Sequence, residues 1–187
     1  MTPLLSGGVG LLERAIGYTL GSLQLVTPAA MSQPTPCRDW DLEALLHHMN
    51  DSLAALHEAV DSGYVGLEPA AGAPAADLVA ALKDRACRLL GAWTNGERDR
   101  VAIADRELTG LMVTSAGALE IAVHGWDVAR ACGVDRPIPD RLAVRLMRLS
   151  LLFVPPQDRP GRFAPPLPPE KDSGASGELL AFLGRMK

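Results

Sequence analysis

The strongest hydrophobic pattern in the chain is a single apolar stripe at helical spacing. It starts at Leu42 and recurs at positions i+3, i+4, i+7, i+11, i+14 and i+18, ending at Val60. This spacing places the apolar side chains on one face of a helix. Asp39 or Asp41 lies just before the stripe, where a short acceptor side chain can bind the free N–H groups of the first turn. The pattern therefore predicts an amphipathic second helix that packs on a core.

Other segments show the same periodicity, separated by Pro-rich and Gly-rich breaks. Because proline lacks an amide donor and disfavours helix in the residue before it, the prolines at 28, 34 and 36 end the first periodic segment. Residues 61–76 have loop composition, and residues 100–106 alternate weakly enough to predict only a short extended piece. Further helices are predicted at residues 9–26, 76–93, 109–132 and 140–153, with one or two helical turns at 178–185.

These elements predict a mainly all-α fold. Four long helices with short connections favour a four-helix bundle, here with an extra short helix and a Pro-rich C-terminal tail. The tail from 155 to 169 holds seven of the fifteen prolines and is expected to be extended. We therefore expect a helical-bundle domain at residues 1–154, with residues 155–187 packed on the same domain and ending in a short helix.

Composition and charge exclude several classes of protein. Hydrophobic residues make up 48% of the 187 positions, which disfavours disorder, and a net charge of −4 disfavours a nucleic-acid partner. We identify no signal peptide and no apolar run long enough to span a membrane, so a cytoplasmic protein is expected. The three cysteines are odd in number and widely spaced, and they predict no disulfide framework.

The fourth predicted helix carries the candidate chemistry. Glu120 and His124 are four residues apart, on one face of a helix that is apolar on nearly every side. His48, bordered by small residues on the second helix, can face them. Two imidazole nitrogens and one carboxylate oxygen suit Zn²⁺ with a coordination position left open, and also Ni²⁺ or Fe²⁺. Asp127, three residues after His124, is placed to accept a hydrogen bond from the other imidazole nitrogen.

Simpler interpretations compete with the metal site. Glu120 and His124 can form a plain ion pair, and His48 can be a surface histidine like its neighbour His47. Asp127 can pair with Arg130 instead of His124.

Three more side chains near these motifs are expected to have structural roles. Packing is favoured over metal ligation for Cys37. Trp126 is expected in the core, and Trp40 is expected to anchor the start of the second helix.

Three stretches of the chain resemble, in the same order, motifs of a single known family. They are TPCRDWDL at 35–42 with Leu45 and His48 after it, EIAVHGWDVA at 120–129, and GRF at 161–163 with LLAFLGR at 179–185. The family is the mycothiol-dependent maleylpyruvate isomerase N-terminal domain type, within the DinB-like metal-binding four-helix bundles. The resemblance implies that His48, Glu120 and His124 correspond to that family's metal ligands.

The resemblance also implies a function. In the isomerase a metal ion favours the thiolate of a low-molecular-weight thiol, so this chain is expected to be a metal-dependent isomerase or transferase that uses mycothiol on a small electrophile. The isomerase has a further C-terminal domain that this chain has no room for, which disfavours maleylpyruvate itself as the substrate. The alternative is a non-catalytic binding module with a structural or vestigial metal. A monomer or a homodimer is expected for either function.

Overall fold

The computed structural model describes residues 5–37, 39–66, 77–96, 98–159 and 163–185. The described part of the chain forms six α-helices and three short strands. In chain order they are α1 (Leu5–Leu23), α2 (Leu42–Asp61), β1 (Tyr64–Val65), α3 (Leu78–Asn95), β2 (Arg100–Ile103), β3 (Arg106–Thr109), α4 (Gly110–Ala131), α5 (Asp140–Phe153) and α6 (Gly174–Phe182).

The three helices that follow α1 in the bundle start at side-chain caps. Asp41 accepts a hydrogen bond from the amide of Ala44 at 2.9 Å and so begins α2, while Asp39 lies in the preceding turn with a φ of 69°. Asp77 begins α3 in the same way, and Thr109 begins α4. Each cap satisfies an amide that the helix itself leaves free, which fixes where the helix begins. Asp41, one of the two predicted caps, is the one used.

Helix α4 is the central element of the bundle, as its apolar composition predicts. Most of its residues from Val113 to Ala131 are buried, and α1 packs along it more extensively than any other helix does. Helices α1, α2 and α5 pack against it, α3 packs on α1 and α2, and the leucines of the α2 stripe are buried in the common core. The predicted mainly helical bundle is confirmed.

Gly125 allows α1 and α4 to approach closely. A Cβ atom added at this position would lie 3.1 Å from the Cα atom of Thr19 on α1, and closer still to the Thr19 hydroxyl. That hydroxyl is itself fixed, because it donates a hydrogen bond to the carbonyl of Ile121 at 2.8 Å. The backbones of α1 and α4 are therefore in close contact at this crossing, and no flexible side chain lies between them that could move aside.

We expect Gly125→Ala to destabilise the protein by about 1–3 kcal/mol, since the added methyl group must push α1 away from α4. Urea unfolding followed by circular dichroism measures the change in the free energy of unfolding. Gly17→Ala on α1 is the matched control: its Cβ would meet no atom within 4 Å, so that substitution should stabilise the helix by up to about 1 kcal/mol. Equal effects of the two substitutions would contradict the close approach.

A small three-stranded sheet lies at one end of the bundle. Strands β2 and β3 form an antiparallel hairpin, and β1 pairs in parallel with β2, placing Tyr64 opposite Ala102 and Val65 opposite Ile103. The expectation of one short extended piece at 100–106 was incomplete. Residues 67–76 of the loop predicted at 61–76 lie outside the described residues, and with them the predicted start of α3 at Ala76.

The C-terminal segment packs on the bundle. Leu179, Leu180 and Leu183 are buried in the common core, and the amide of Leu167 donates to the carbonyl of Ala181 at 2.9 Å. Helix α6 ends earlier than the predicted 178–185, because Gly184 takes a left-handed φ of 75° and stops it. In the tail motif, Gly161 and Arg162 lie outside the described residues.

None of the described helices combines the length and the apolar character needed to cross a membrane.

Candidate metal centre

Three side chains from two helices converge at the centre of the bundle. His48 comes from α2, and Glu120 and His124 come from successive turns of α4. The Nε2 atom of His48 lies 2.6 Å from Oε1 of Glu120, and Nε2 of His124 lies 3.1 Å from the same oxygen. One ligand atom from each residue lies within 4.8 Å of the others. The structure therefore brings together the three residues that the helical spacing singled out.

The centre is closed on one side and open on the other. The side chain of His124 is 7% exposed, whereas those of His48 and Glu120 are 36% and 35% exposed. Ser52, one turn along α2 from His48, donates a hydrogen bond to Oε1 of Glu120 at 3.3 Å. A small molecule can thus reach the His48 and Glu120 side, while His124 is fixed from behind.

Behind His124, Asp127 forms an ion pair with Arg185, which comes from a distant part of the chain. Oδ2 of Asp127 accepts a hydrogen bond from Nδ1 of His124 at 2.9 Å, as the three-residue spacing predicts. Asp127 is completely buried, and its oxygens also accept from Nε and Nη2 of Arg185 at 3.3 and 3.1 Å. In the neutral form of His124, Nδ1 donates to Asp127 and the lone pair lies on Nε2, which is the nitrogen 3.1 Å from Glu120.

The charged groups in this cluster shift one another's pKa values. Burial alone would raise the pKa of Glu120, but the positive charge of His124 and the hydrogen bonds from both histidines lower that pKa well below its usual value. Burial likewise opposes charge on His124, yet Glu120 and Asp127 raise its pKa well above the usual value. Burial would raise the pKa of Asp127 too, and the hydrogen bond from His124 and the charge of Arg185 lower it. Glu120, His124 and Asp127 therefore each favour the charged form of their neighbours in this cluster.

The donor set matches what a divalent ion requires. The positive charge between the two imidazoles and the carboxylate can come from protons on the imidazoles, as in the protein alone. It can also come from a bound cation that replaces those protons. Two nitrogens and one oxygen on two rigid helices, with a hydrogen-bond acceptor behind one imidazole, fit Zn²⁺ and leave a position free on the exposed side.

Cys37 is half-buried and packs against the core, as expected, and its thiol also makes polar contacts in this cluster. Its Sγ atom accepts a hydrogen bond from Nη2 of Arg185 at 3.2 Å and donates to Oδ2 of Asp127 at 3.3 Å. It lies 3.7 Å from Nδ1 of His124, so Cys37, His124 and Asp127 form a second group with metal-ligand geometry. Cys37 lies just before α2, in a segment closed by the bridge between Pro34 and Asp41 and by the hydrogen bond from the amide of Thr35 to the carbonyl of Trp40.

Trp40 is part of the wall of the centre and does more than anchor α2. Its ring lies 4.7 Å from that of His48 and 6.5 Å from that of His124, measured between centroids, and 36% of its surface is exposed. Trp126 is buried, which confirms its expected place in the core. The alternative pairing of Asp127 with Arg130 was wrong: the guanidinium of Arg130 lies over the Trp126 ring.

Arg185 was missed as a functional residue by the analysis of spacing. It is 58 residues from Asp127 in the chain, so no local periodicity connects the two. The only sequence signal was its place at the end of the tail motif, where Gly184 turns the chain after α6. Ser52 is one of the small residues that border His48 on α2, and its contact with Glu120 was not predicted.

Comparison with known proteins identifies the family. Residues 12–129, well over half of the chain, match the family described as the mycothiol maleylpyruvate isomerase N-terminal domain. The chain belongs to this family. It is also 27% identical over 184 residues to the uncharacterized protein Rv0738 of Mycobacterium tuberculosis, and equally to MT0763 from another strain of that organism, covering 92% of this chain and 94% of each relative.

The fold also matches a solved structure of a family enzyme. The crystal structure of the mycothiol-dependent maleylpyruvate isomerase superimposes with a TM-score of 0.59 at 19% identity, covering 80% of this chain and 70% of that one. A mutant of the same enzyme superimposes with a TM-score of 0.57. At this level of identity the likeness establishes the bundle fold, which is consistent with DinB-like proteins.

Proposed function

We propose that this protein is a metal-dependent isomerase or transferase that uses a low-molecular-weight thiol, mycothiol, on a small electrophile. His48, Glu120 and His124 would hold the divalent ion, with zinc first and nickel or iron as alternatives. The observation that carries the proposal is the convergence of three donor atoms within 4.8 Å in a centre that is buried behind His124 and open beside His48. A structural zinc site is usually closed by four protein ligands, whereas a catalytic one keeps a position open.

When held by these residues, a divalent ion would supply one chemical effect: it would withdraw charge from the sulfur of the thiol, lower the pKa of that thiol and make it a better nucleophile at neutral pH.

The residues of the chain supply the rest. Asp127 and Arg185 hold His124 as the tautomer whose Nε2 faces the centre. Ser52 holds the carboxylate of Glu120 from α2, which limits its rotation. The ring of Trp40 covers the His48 imidazole on the exposed side and narrows the approach to it. Together they present a rigid set of donors beside an opening that admits a thiol and a second small molecule.

Mycothiol is proposed as the thiol because the family and the solved structure with the same fold are both named for mycothiol-dependent maleylpyruvate isomerase. The electrophile is left as a class, since maleylpyruvate is a property of the named enzyme and not of this chain.

The direct test is a thiol-dependent reaction with a matched metal-free sample. We expect zinc-loaded protein to accelerate the consumption of a small enone only when mycothiol is present, and a chelator to abolish the acceleration. Thiol binding is measured independently from the absorption spectrum of cobalt-loaded protein, which should change when mycothiol is added. A protein that binds cobalt but shows neither spectral change nor reaction would be a non-catalytic module with a structural metal.

A further inference from the structure

His124 belongs to two groups of side chains with metal-ligand geometry, the His48 group with His48 and Glu120, and the Cys37 group with Cys37 and Asp127. Its Nε2 atom lies 3.1 Å from Glu120, whereas its Nδ1 atom lies 2.9 Å from Oδ2 of Asp127 and 3.7 Å from Sγ of Cys37. The two groups therefore face different nitrogens of one ring. A neutral imidazole offers a single lone pair, so His124 can serve only one of the two groups at a time.

Ligand chemistry alone does not favour the His48 group. The Cys37 group offers a thiol, an imidazole and a carboxylate, and a cysteine thiolate is a common zinc ligand in proteins. Asp127 is fully buried, whereas the side chains of His48 and Glu120 are partly exposed, so water competes less for the donors of the Cys37 group. A further feature is needed to keep a divalent ion away from Cys37.

A positive charge already lies within the Cys37 group. The Nη2 atom of Arg185 lies 3.2 Å from Sγ of Cys37 and 3.1 Å from Oδ2 of Asp127, and its Nε atom lies 3.3 Å from Oδ1 of Asp127. Burial alone would lower the pKa of Arg185, but the negative charge of Asp127 raises it above its usual value, so the guanidinium stays charged. A divalent ion bound to these same atoms would lie beside the guanidinium, where two cations repel each other strongly because little water screens them.

The backbone after α6 fixes the position of this guanidinium. Gly184 turns the chain with a φ of 75°, and the amide of Arg185 then donates to the carbonyl of Leu180 at 2.8 Å. The side chain of Arg185 is only 9% exposed. Moving it into solvent would leave the buried carboxylate of Asp127 without its guanidinium partner, which opposes displacement by a metal ion.

We propose that Arg185 determines which of the two donor groups binds the metal, by filling the Cys37 group with a permanent positive charge. Arg185 is thus a positioning residue that acts through Cys37 and Asp127 and does not touch the ion. The inference concerns the metal centre of the proposed function and rests on that function for its catalytic meaning. Without the guanidinium, a divalent ion would bind the Cys37 group: the thiol would release its proton to solvent, and His124 would carry its hydrogen on Nε2 in place of Nδ1.

The test uses cobalt(II) as the probe and the absorption spectrum of the full chain, with no thiol added. A thiolate ligand gives cobalt an intense sulfur-to-metal charge-transfer band in the near ultraviolet, which nitrogen and oxygen ligands do not give. We expect no such band in the wild-type protein and a saturable band in Arg185→Met. The double variant Arg185→Met with Cys37→Ala should lose the band. A band in the wild-type protein, or none in Arg185→Met, would overturn the inference.

Two further variants distinguish charge from packing. Arg185→Lys keeps a positive charge beside Asp127 and should show no band. Arg159→Met removes another buried arginine, which stacks on Phe182 of α6 and donates to the carbonyl of Ala164 at 3.1 Å, and it should also show none. A band in either variant would mean that loosened packing admits the ion to the thiol, and would overturn the role of the charge.

His48→Ala keeps the inference testable if Arg185→Met does not fold. This variant removes a donor of the His48 group and leaves the guanidinium in place, so cobalt should bind more weakly and without the sulfur band. A sulfur band in His48→Ala would show that the ion enters the Cys37 group despite the guanidinium, and would overturn the inference.

The same spectra separate this inference from the proposed function. Wild-type protein that binds no cobalt, together with a sulfur band in Arg185→Met, would remove the metal-dependent function and keep the role of Arg185. Wild-type protein that binds cobalt through nitrogen and oxygen, together with no sulfur band in Arg185→Met, would keep the metal centre and overturn the role of Arg185.

Discussion

Replacing Asp127 with alanine is expected to destabilise the protein by about 3–5 kcal/mol. Asp127 is fully buried and receives hydrogen bonds from Arg185 and His124, so its loss leaves the guanidinium of Arg185, 9% exposed, without an anion. The penalty comes from the uncompensated buried charge more than from the lost contacts. Urea unfolding in the presence of a chelator measures it free of any contribution from metal binding.

The double variant Asp127→Ala with Arg185→Met shows whether that reason is correct. Removing both charges replaces the ion pair by apolar groups of similar size, so the double variant should recover much of the stability lost in Asp127→Ala. A double variant that is less stable than either single variant would mean that the segment after α6 needs Arg185 for packing and that the buried charge is not the cause.

The second large effect concerns metal affinity. His48→Ala is expected to lower the affinity for zinc by more than about 100-fold, because on the proposed assignment it removes a direct ligand, whereas the loss of an outer hydrogen-bond partner costs about 10- to 100-fold. Cys37→Ala should retain tight binding. Competition with a chromophoric chelator measures both affinities, and circular dichroism verifies that the helices are intact.

His57→Ala is the matched control for His48→Ala. His57 lies on the same helix and pairs with Asp61 away from the centre, so its removal should leave zinc affinity unchanged. Strong zinc binding that survives His48→Ala and disappears in Cys37→Ala would assign the metal to the second group, formed by Cys37, His124 and Asp127.

The helices could be predicted because their physical causes are local. The α2 stripe and the Asp41 cap lie within one stretch of chain, and α5 occupies the predicted residues 140–153. The observed helix ends differ from the predicted ones where a single residue determines the end. Gly184 ends α6 by taking a left-handed conformation, and the sequence shows a glycine there without showing which turn it enters.

The sheet and the buried part of the centre could not be predicted because they depend on contacts distant in sequence. Strand β1 is two residues long and owes its existence to pairing with β2, which follows the whole of α3. The contact between Cys37 and Asp127 spans 90 residues, and that between Cys37 and Arg185 spans 148. No spacing rule reaches across such distances, so neither the contacts of Arg185 nor the polar contacts of Cys37 were predicted.

The convergence of His48, Glu120 and His124 could be predicted from the sequence for a different reason. Glu120 and His124 share a face of one helix, and the helix around them is so apolar that polar groups there require partners. His48 was the partner offered by the most strongly patterned helix. Helical periodicity does not predict that the side chain of Glu120 is 35% exposed. That exposure gives the centre its open side.

The central claim is that a divalent ion is held by His48, Glu120 and His124 at the open side of the bundle. X-ray absorption spectroscopy of the zinc-loaded chain tests it most directly, since imidazole and carboxylate ligands lie at about 2.0–2.2 Å and a thiolate at about 2.3 Å from zinc. The expected spectrum contains only nitrogen and oxygen neighbours, with the multiple-scattering features of two imidazoles. A sulfur neighbour would place the metal on Cys37 and contradict the claim, as would a protein that retains no zinc.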